Sequence, residues 1–250
     1  MTMTILSEPR PSALPRDTAM QLAATEYQRF LEMLRALGSA DWEKPTDCPG
    51  WDVRAMAAHA LGMVEMAASI RENYRQLKLA RRRDGVFIDA LTGLQLDERA
   101  DMTPAQIIAR FAARAPKAAS GRRRIPGFVR HFVMPDRQQV GGREEAWRIG
   151  YLIDVILTRD PWMHRADIAR ATGADHVLTA RHDGVLVGDV VAEWAARHGQ
   201  PYALHLTGPA GGTWSRGQGG PAIEADAVEF CRLLSGRGHG DGLLATQVPF

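Results

Sequence analysis

Cysteine is almost absent: Cys48 and Cys231 are the only two in the chain. That excludes a disulfide framework and a cysteine-rich zinc site, and it points to a reducing, cytoplasmic compartment. Long hydrophobic runs are absent too. A membrane span needs roughly 18 apolar residues, and the longest run here, Ile149 to Thr158, is interrupted by Asp154. The opening MTMTILSEPRPSALPRD has no apolar core of the kind a signal peptide carries. Charge of one sign is equally scarce. A net +2 over 250 residues gives no global field that calls for a polyanion. The arginine clusters Arg81 to Arg83 and Arg122 to Arg124 are not interleaved with aromatics. They are expected to be solvated helix ends, not a nucleic-acid surface. What remains is an ordinary globular composition, 45% hydrophobic and 24% charged, long enough for one large domain or a medium and a small one.

Helical periodicity dominates up to residue 175. Pro9, Pro11 and Pro15 make residues 1–16 an extended, mobile leader. Asp17 then caps a helix with apolar Met20, Leu22, Tyr27, Phe30, Leu31, Leu34 and Leu37, closed by Gly38. A Pro- and Gly-bearing loop from Trp42 to Trp51 precedes a second helix, Asp52 to about Leu79. Residues 84–102 are weakly patterned. Thr103 as N-cap and Pro104 at the first helical position open a third helix, which Pro116 is expected to end near Ala115. After an irregular stretch from Gly121 to Gly142, a fourth long helix runs from Arg143 to Thr172, with Pro161 inside it and Gly173 beyond. Residues 17–175 thus read as a helical bundle. Residues 176–250 read as a small α+β domain with helices Asp183 to His198 and Ala225 to Leu234, a strand Tyr202 to Thr207 and a Gly-rich loop Pro209 to Pro221.

Three side chains stand out against this pattern. Asp160 and His164 are four residues apart and share one helix face with Ile153, Ile156 and Leu157. His59 lies within the apolar stripe of the second helix, among Met56, Ala60 and Met63. An unpaired carboxylate on an inner face is costly. A divalent cation coordinated by all three removes that cost and leaves a position for water or substrate. Spacing alone equally allows a hydrogen-bonded core histidine and an Asp160 that caps the break at Pro161.

The wording around these residues resembles a known family. The segment Trp42-Glu43-Lys44-Pro45-Thr46-Asp47-Cys48-Pro49-Gly50-Trp51-Asp52-Val53-Arg54, followed by Ala58-His59-Ala60-Leu61-Gly62, is similar to the N-terminal signature of the mycothiol-dependent maleylpyruvate isomerases. Thr158-Arg159-Asp160-Pro161-Trp162-Met163-His164-Arg165-Ala166-Asp167-Ile168 resembles their second signature, and Glu229 to Arg237 the close of their C-terminal domain.

The resemblance implies a DinB-like four-helix bundle plus a small α+β domain. It also implies a divalent ion, zinc foremost, held by His59, Asp160 and His164. The acidic ligand of the isomerase itself is a Glu, so Asp160 is a departure with a shorter arm. Asp167 is a candidate partner for a ligand histidine, or alternatively a mate for Arg170. Cys48 reads as a packed turn residue, and Trp42 and Trp51 as anchors. The resemblance further implies an arginine for an anionic substrate, either Arg216 or Arg237. The expected activity is metal-dependent addition of mycothiol to an electrophilic small molecule, as isomerase or S-transferase. The alternatives are a metal-binding sensor without catalysis and a metal-dependent hydrolase, for which Asp167 or Glu65 would have to serve as base. Neither nucleic acid nor membrane is an expected partner, and the chain is expected to be a monomer or homodimer.

Overall fold

Side-chain caps start several of the helices. The structure, a computed structural model, describes residues 8–250; residues 1–7 of the expected leader lie outside it. Helix α1 (Arg16–Ala36) buries the stripe Met20, Ala23, Tyr27, Phe30 and Leu34. The Asp52 carboxylate accepts the Ala55 amide at 2.7 Å and starts α2 (Val53–Ala68). The expected long second helix is broken at Ser69. Its backbone is extended, and its hydroxyl accepts the Glu72 amide to start α3 (Ile70–Ala80). The weakly patterned stretch contains α4 (Phe87–Asp97). Thr103 and Gln106 cap each other reciprocally at the head of α5 (Pro104–Arg124), with Pro104 where its missing N–H costs nothing. This helix runs through Pro116 instead of stopping before it. Pro116 is exposed, and the buried stripe Phe111, Ala115, Ala118 and Arg122 holds both halves to the bundle.

A short helix α6 (Gly127–His131) and an antiparallel hairpin of β1 (Gln138–Val140) and β2 (Arg143–Glu145) follow. The fourth helix therefore begins later than its apolar spacing suggests, at α7 (Ile149–Tyr151). It widens into a π-turn over Leu152–Ile156 and continues as α8 (Leu157–Thr172) to Gly173 at φ +75°. Helices α1, α2, α5 and α8 form the expected four-helix bundle: α2 packs on α5, α5 on α1, α1 on α8, and α8 closes on α2. Gly121 allows the α2–α5 contact, because a Cβ there would stand 2.3 Å from the Ala67 carbonyl oxygen.

Beyond residue 175, α9 (Asp183–His198) and α10 (Ala227–Leu234) cover one sheet of β3 (Tyr202–Thr207), β4 (Gly212–Arg216) and β5 (Ala222–Asp226). The order is β4-β3-β5, with β4 antiparallel and β5 parallel to β3. The Gly-rich loop thus contains a strand. The last helix starts two residues later than expected, where the Asp226 carboxylate caps Val228 and Glu229. The core of this unit, with Val187, Val191, Trp194, Leu204 and Phe230, continues into Trp162, Met163 and Ala166 of α8 and Leu22 of α1. Helix α8 therefore serves both cores. Arg10, within the expected mobile leader, pairs with Trp147 in a parallel bridge and with Glu145 and Glu193 through its guanidinium. Among the described residues no helix is long and apolar enough to cross a membrane.

One buried cation holds the broken helix together. Pro161 has no N–H for the Leu157 carbonyl; Nη1 of Arg122 donates to it instead, at 2.9 Å. The same guanidinium donates to the Ile153 carbonyl in the π-turn through Nε at 3.0 Å and through Nη2. It also reaches the Thr158 hydroxyl at 2.6 Å and the Tyr27 hydroxyl at 3.1 Å. Arg122 is 1% exposed, which corrects the expectation of a solvated helix end. No carboxylate pairs with it among the described residues. Arg122→Ala strips donors from the Ile153 and Leu157 carbonyls and is predicted to cost on the order of 3 kcal/mol. Arg123→Ala, on the exposed side, should stay within about 0.5 kcal/mol. Urea unfolding of both variants checks this, and equal stabilities would contradict it.

Candidate metal centre

His59 sits midway along α2, where the apolar spacing turns it inward. Asp160 and His164 lie one turn apart on α8. The two helices bring Nε2 of His59 to 3.7 Å and Nε2 of His164 to 3.2 Å from the same Asp160 oxygen, Oδ1. One donor atom from each residue lies within 4.8 Å of the others. The rings are almost perpendicular, with centroids 5.5 Å apart, and Trp51 lies against both, at 5.2 and 5.9 Å.

Each imidazole is held from behind through its other nitrogen. His59 Nδ1 meets Oε1 of Gln95 at 2.8 Å, and the Gln95 amide group donates to Oε1 of Gln76 at 3.0 Å. Gly62 makes room for this contact: a Cβ there would come within 2.6 Å of the Gln95 side chain. His164 Nδ1 lies 3.4 Å from Oδ2 of Asp167, and Arg237 Nε is 2.8 Å from both Asp167 oxygens. With Nδ1 engaged, each ring presents Nε2 to Asp160, the disposition in which histidine binds metals.

The charges follow this layout. Burial opposes ionisation of Asp160, but the imidazoles of His164 and His59 outweigh it and hold the carboxyl far below its usual range. Burial likewise opposes charge on His164, while Asp160 and then Asp167 raise its pKa well above the ordinary histidine value. Asp167 resists the effect of its own burial because His164 and Arg237 keep it ionised, below the usual carboxylate range. A cation among the three donors would compete with the proton that Asp160 and Asp167 favour on His164.

This donor set, two imidazole nitrogens and a carboxylate oxygen, suits zinc or a related divalent ion. The other two clusters of potential ligands among the described residues suit a cation less well. In Cys48, His164 and Asp167, the Asp167 carboxylate is occupied by Arg237. In Glu26, His182 and Asp183, Arg165 joins both carboxylates and Arg29 pairs with Asp183.

The triad opens onto a cavity of about 1510 Å³ that Trp51, Met63 and Arg237 also line. Of the two arginine candidates, Arg237 is in the site. Arg216 is on β4, bonded to the Ala195 carbonyl at 3.0 Å and outside the cavity lining. Gln95 and Cys48 enlarge the set that sequence reasoning identified. Gln95 is a lone amide on the buried face of α4, beside Ala90, Leu91 and Leu94; that was its only signal. Cys48 does occupy a turn, its carbonyl accepting the Trp51 amide at 3.0 Å. Its Sγ also approaches Asp167 Oδ2 at 3.8 Å and Arg237 Nη2 at 3.6 Å.

Gln95→Leu should leave all three donors in place yet weaken metal binding about 10- to 100-fold. Competition with a chromophoric chelator measures this; unchanged affinity would show that Gln95 does not orient the ligand.

Known proteins share this architecture. Over 92% of both chains the fold matches the crystal structure of the mycothiol-dependent maleylpyruvate isomerase, with a TM-score of 0.57 and 16% identity. A histidine-to-alanine mutant of that enzyme matches over 90% of both chains, with a TM-score of 0.55 and 14% identity. In sequence the chain is 25% identical over 214 residues to two uncharacterized Mycobacterium tuberculosis proteins, MT0041 of strain CDC 1551 / Oshkosh and Rv0036c of strain H37Rv. Each match spans 78% of this chain and 76% of the relative. Residues 23–169, which hold α2, most of α8 and all three donors, match the mycothiol maleylpyruvate isomerase N-terminal domain, and the chain belongs to that family.

Proposed function

We propose that this protein is a metal-dependent enzyme that adds a low-molecular-weight thiol, mycothiol, to an electrophilic small molecule, as an isomerase or S-transferase. The observation that carries this reading is the convergence of His59 Nε2, His164 Nε2 and Asp160 Oδ1 on the lining of a large cavity. A divalent cation held there, zinc foremost, supplies positive charge that lowers a thiol's pKa and keeps it as the nucleophilic thiolate.

The residues around the triad have distinct tasks. Trp51 walls the two imidazoles and limits water at the donors. Gln95 and Asp167 fix the rings, so that donor geometry does not wait for the ligand. Arg237 places positive charge on the cavity wall where an anionic group of substrate or cofactor can sit. The thiolate adds to one carbon of an activated double bond, and the electron pair moves onto the activating group. In an isomerase the bond that is now single rotates, the pair returns and the thiolate leaves. In a transferase a proton is taken up and the conjugate departs.

Two observations count against the hydrolase reading. Asp167 is kept ionised by His164 and Arg237, which makes it a weak base. Glu65 is tied to Arg99 and Arg110. A sensor without catalysis needs no thiol, and this separates it experimentally. Cobalt-loaded protein should gain a sulfur-to-metal charge-transfer band when mycothiol is added, and His164→Ala should lose both cobalt and band. Full cobalt loading with no band would contradict thiol chemistry at this centre.

A further inference from the structure

The cavity is larger and more apolar than a compact substrate requires. Small-molecule pockets commonly span roughly 300–1,000 Å³, against about 1510 Å³ here. The thiol cofactor and the substrate of the functional reading share this space, and most of its lining is apolar. The lining includes Ile153, Ile156 and Leu157 together with Met66, Phe87 and Leu91. It reaches the surface at Ile70, which lines the cavity and is 92% exposed. An exposed apolar surface continuous with a cavity marks a place where apolar matter binds.

The mouth has its own chemistry. Lys117 and Arg124 stand two turns apart on α5, and Arg137, in the connection before β1, lines the same cavity. All three are exposed, and none makes an ion pair among the described residues. Arg81 lines the same region but is paired with Asp136. Asp89 is the other acid of the lining beyond the triad. Three exposed cations, unpaired among the described residues, on the lining of an apolar cavity are complementary to an acidic group on an apolar body.

We infer that the electrophilic substrate is an organic anion with an extended apolar body. Its acidic group lies at Lys117, Arg124 and Arg137, and its apolar part lies along α8 toward the triad. This rests on the functional reading for the word substrate. The ligand class rests on the cavity alone.

A binding assay tests it without turnover. Metal-loaded protein is titrated with the fluorescent acid dansyl-undecanoate, which is then displaced by dodecanoate, by dodecanol or by the short dicarboxylate fumarate. Dodecanoate should displace the probe at least tenfold better than fumarate. The double variant Lys117→Glu, Arg124→Glu should lose at least tenfold in dodecanoate affinity at low salt, keep its affinity for dodecanol and retain full metal content. Fumarate matching dodecanoate, or a double variant that binds dodecanoate like the parent, would overturn the inference. The cobalt–thiol band separates the two claims. A band without dodecanoate binding removes this inference alone. Dodecanoate binding without a band leaves the ligand class standing and removes the thiol chemistry.

Discussion

A helix that carries two of the three candidate metal donors contains a proline, and the guanidinium of Arg122 makes that arrangement tenable. Pro161 follows Asp160 directly and withdraws the amide that the Leu157 carbonyl would have used. The π-turn just before it shifts the hydrogen-bond register once more. Arg122 supplies donors to both Ile153 and Leu157. A positive charge with no carboxylate partner among the described residues is thereby buried among carbonyls, hydroxyls and the Tyr27 ring. Asp160 and His164 reach the interior on a helix that α5 steadies from the side. The position of the centre thus depends on a contact between two bundle helices and not on α8 alone.

The centre itself is organised from outside inward. Both imidazoles are aimed by partners on other elements: Gln95 on α4 behind His59, and Asp167 with Arg237 behind His164. Arg237 follows α10 in the C-terminal unit, so that unit completes the bundle's site. The shared core around Trp162, Met163 and Ala166 keeps the two units in register. Two rings whose planes are nearly perpendicular both approach the same Asp160 oxygen, Oδ1.

Much of this was legible in the residues, for physical reasons. The i,i+4 spacing of Asp160 and His164 and the apolar neighbours of His59 fixed which faces pointed inward. The Thr103-Pro104 pair marked the start of α5, and Gly173 the end of α8. What escaped reading depended on tertiary packing. Pro116 looked like a stop signal, but the buried stripe of α5 outweighs its local penalty. Ser69 looked like one more polar position in a long helix, yet it caps a new one. Arg122 looked solvated because nothing local reveals a broken helix waiting for donors 31 residues further on. Gln95 lay in a stretch without clear period, and its role needed Gly62 to open space that only the fold reveals. Arg216 and Arg237 were equivalent in sequence; the return of the chain after α10 separates them.

Family membership and fold leave the chemistry to rest on one point in space, where two ring nitrogens and a carboxylate oxygen meet. The most direct test is a crystal structure of the zinc-loaded protein with anomalous scattering recorded at the zinc edge. The predicted result is one dominant peak, roughly 2 Å from Nε2 of His59, Nε2 of His164 and a carboxylate oxygen of Asp160, with Gln95 and Asp167 still behind the rings. A peak at Cys48 and Asp167, one at Glu26, His182 and Asp183, or no ordered zinc in the loaded protein would contradict the account.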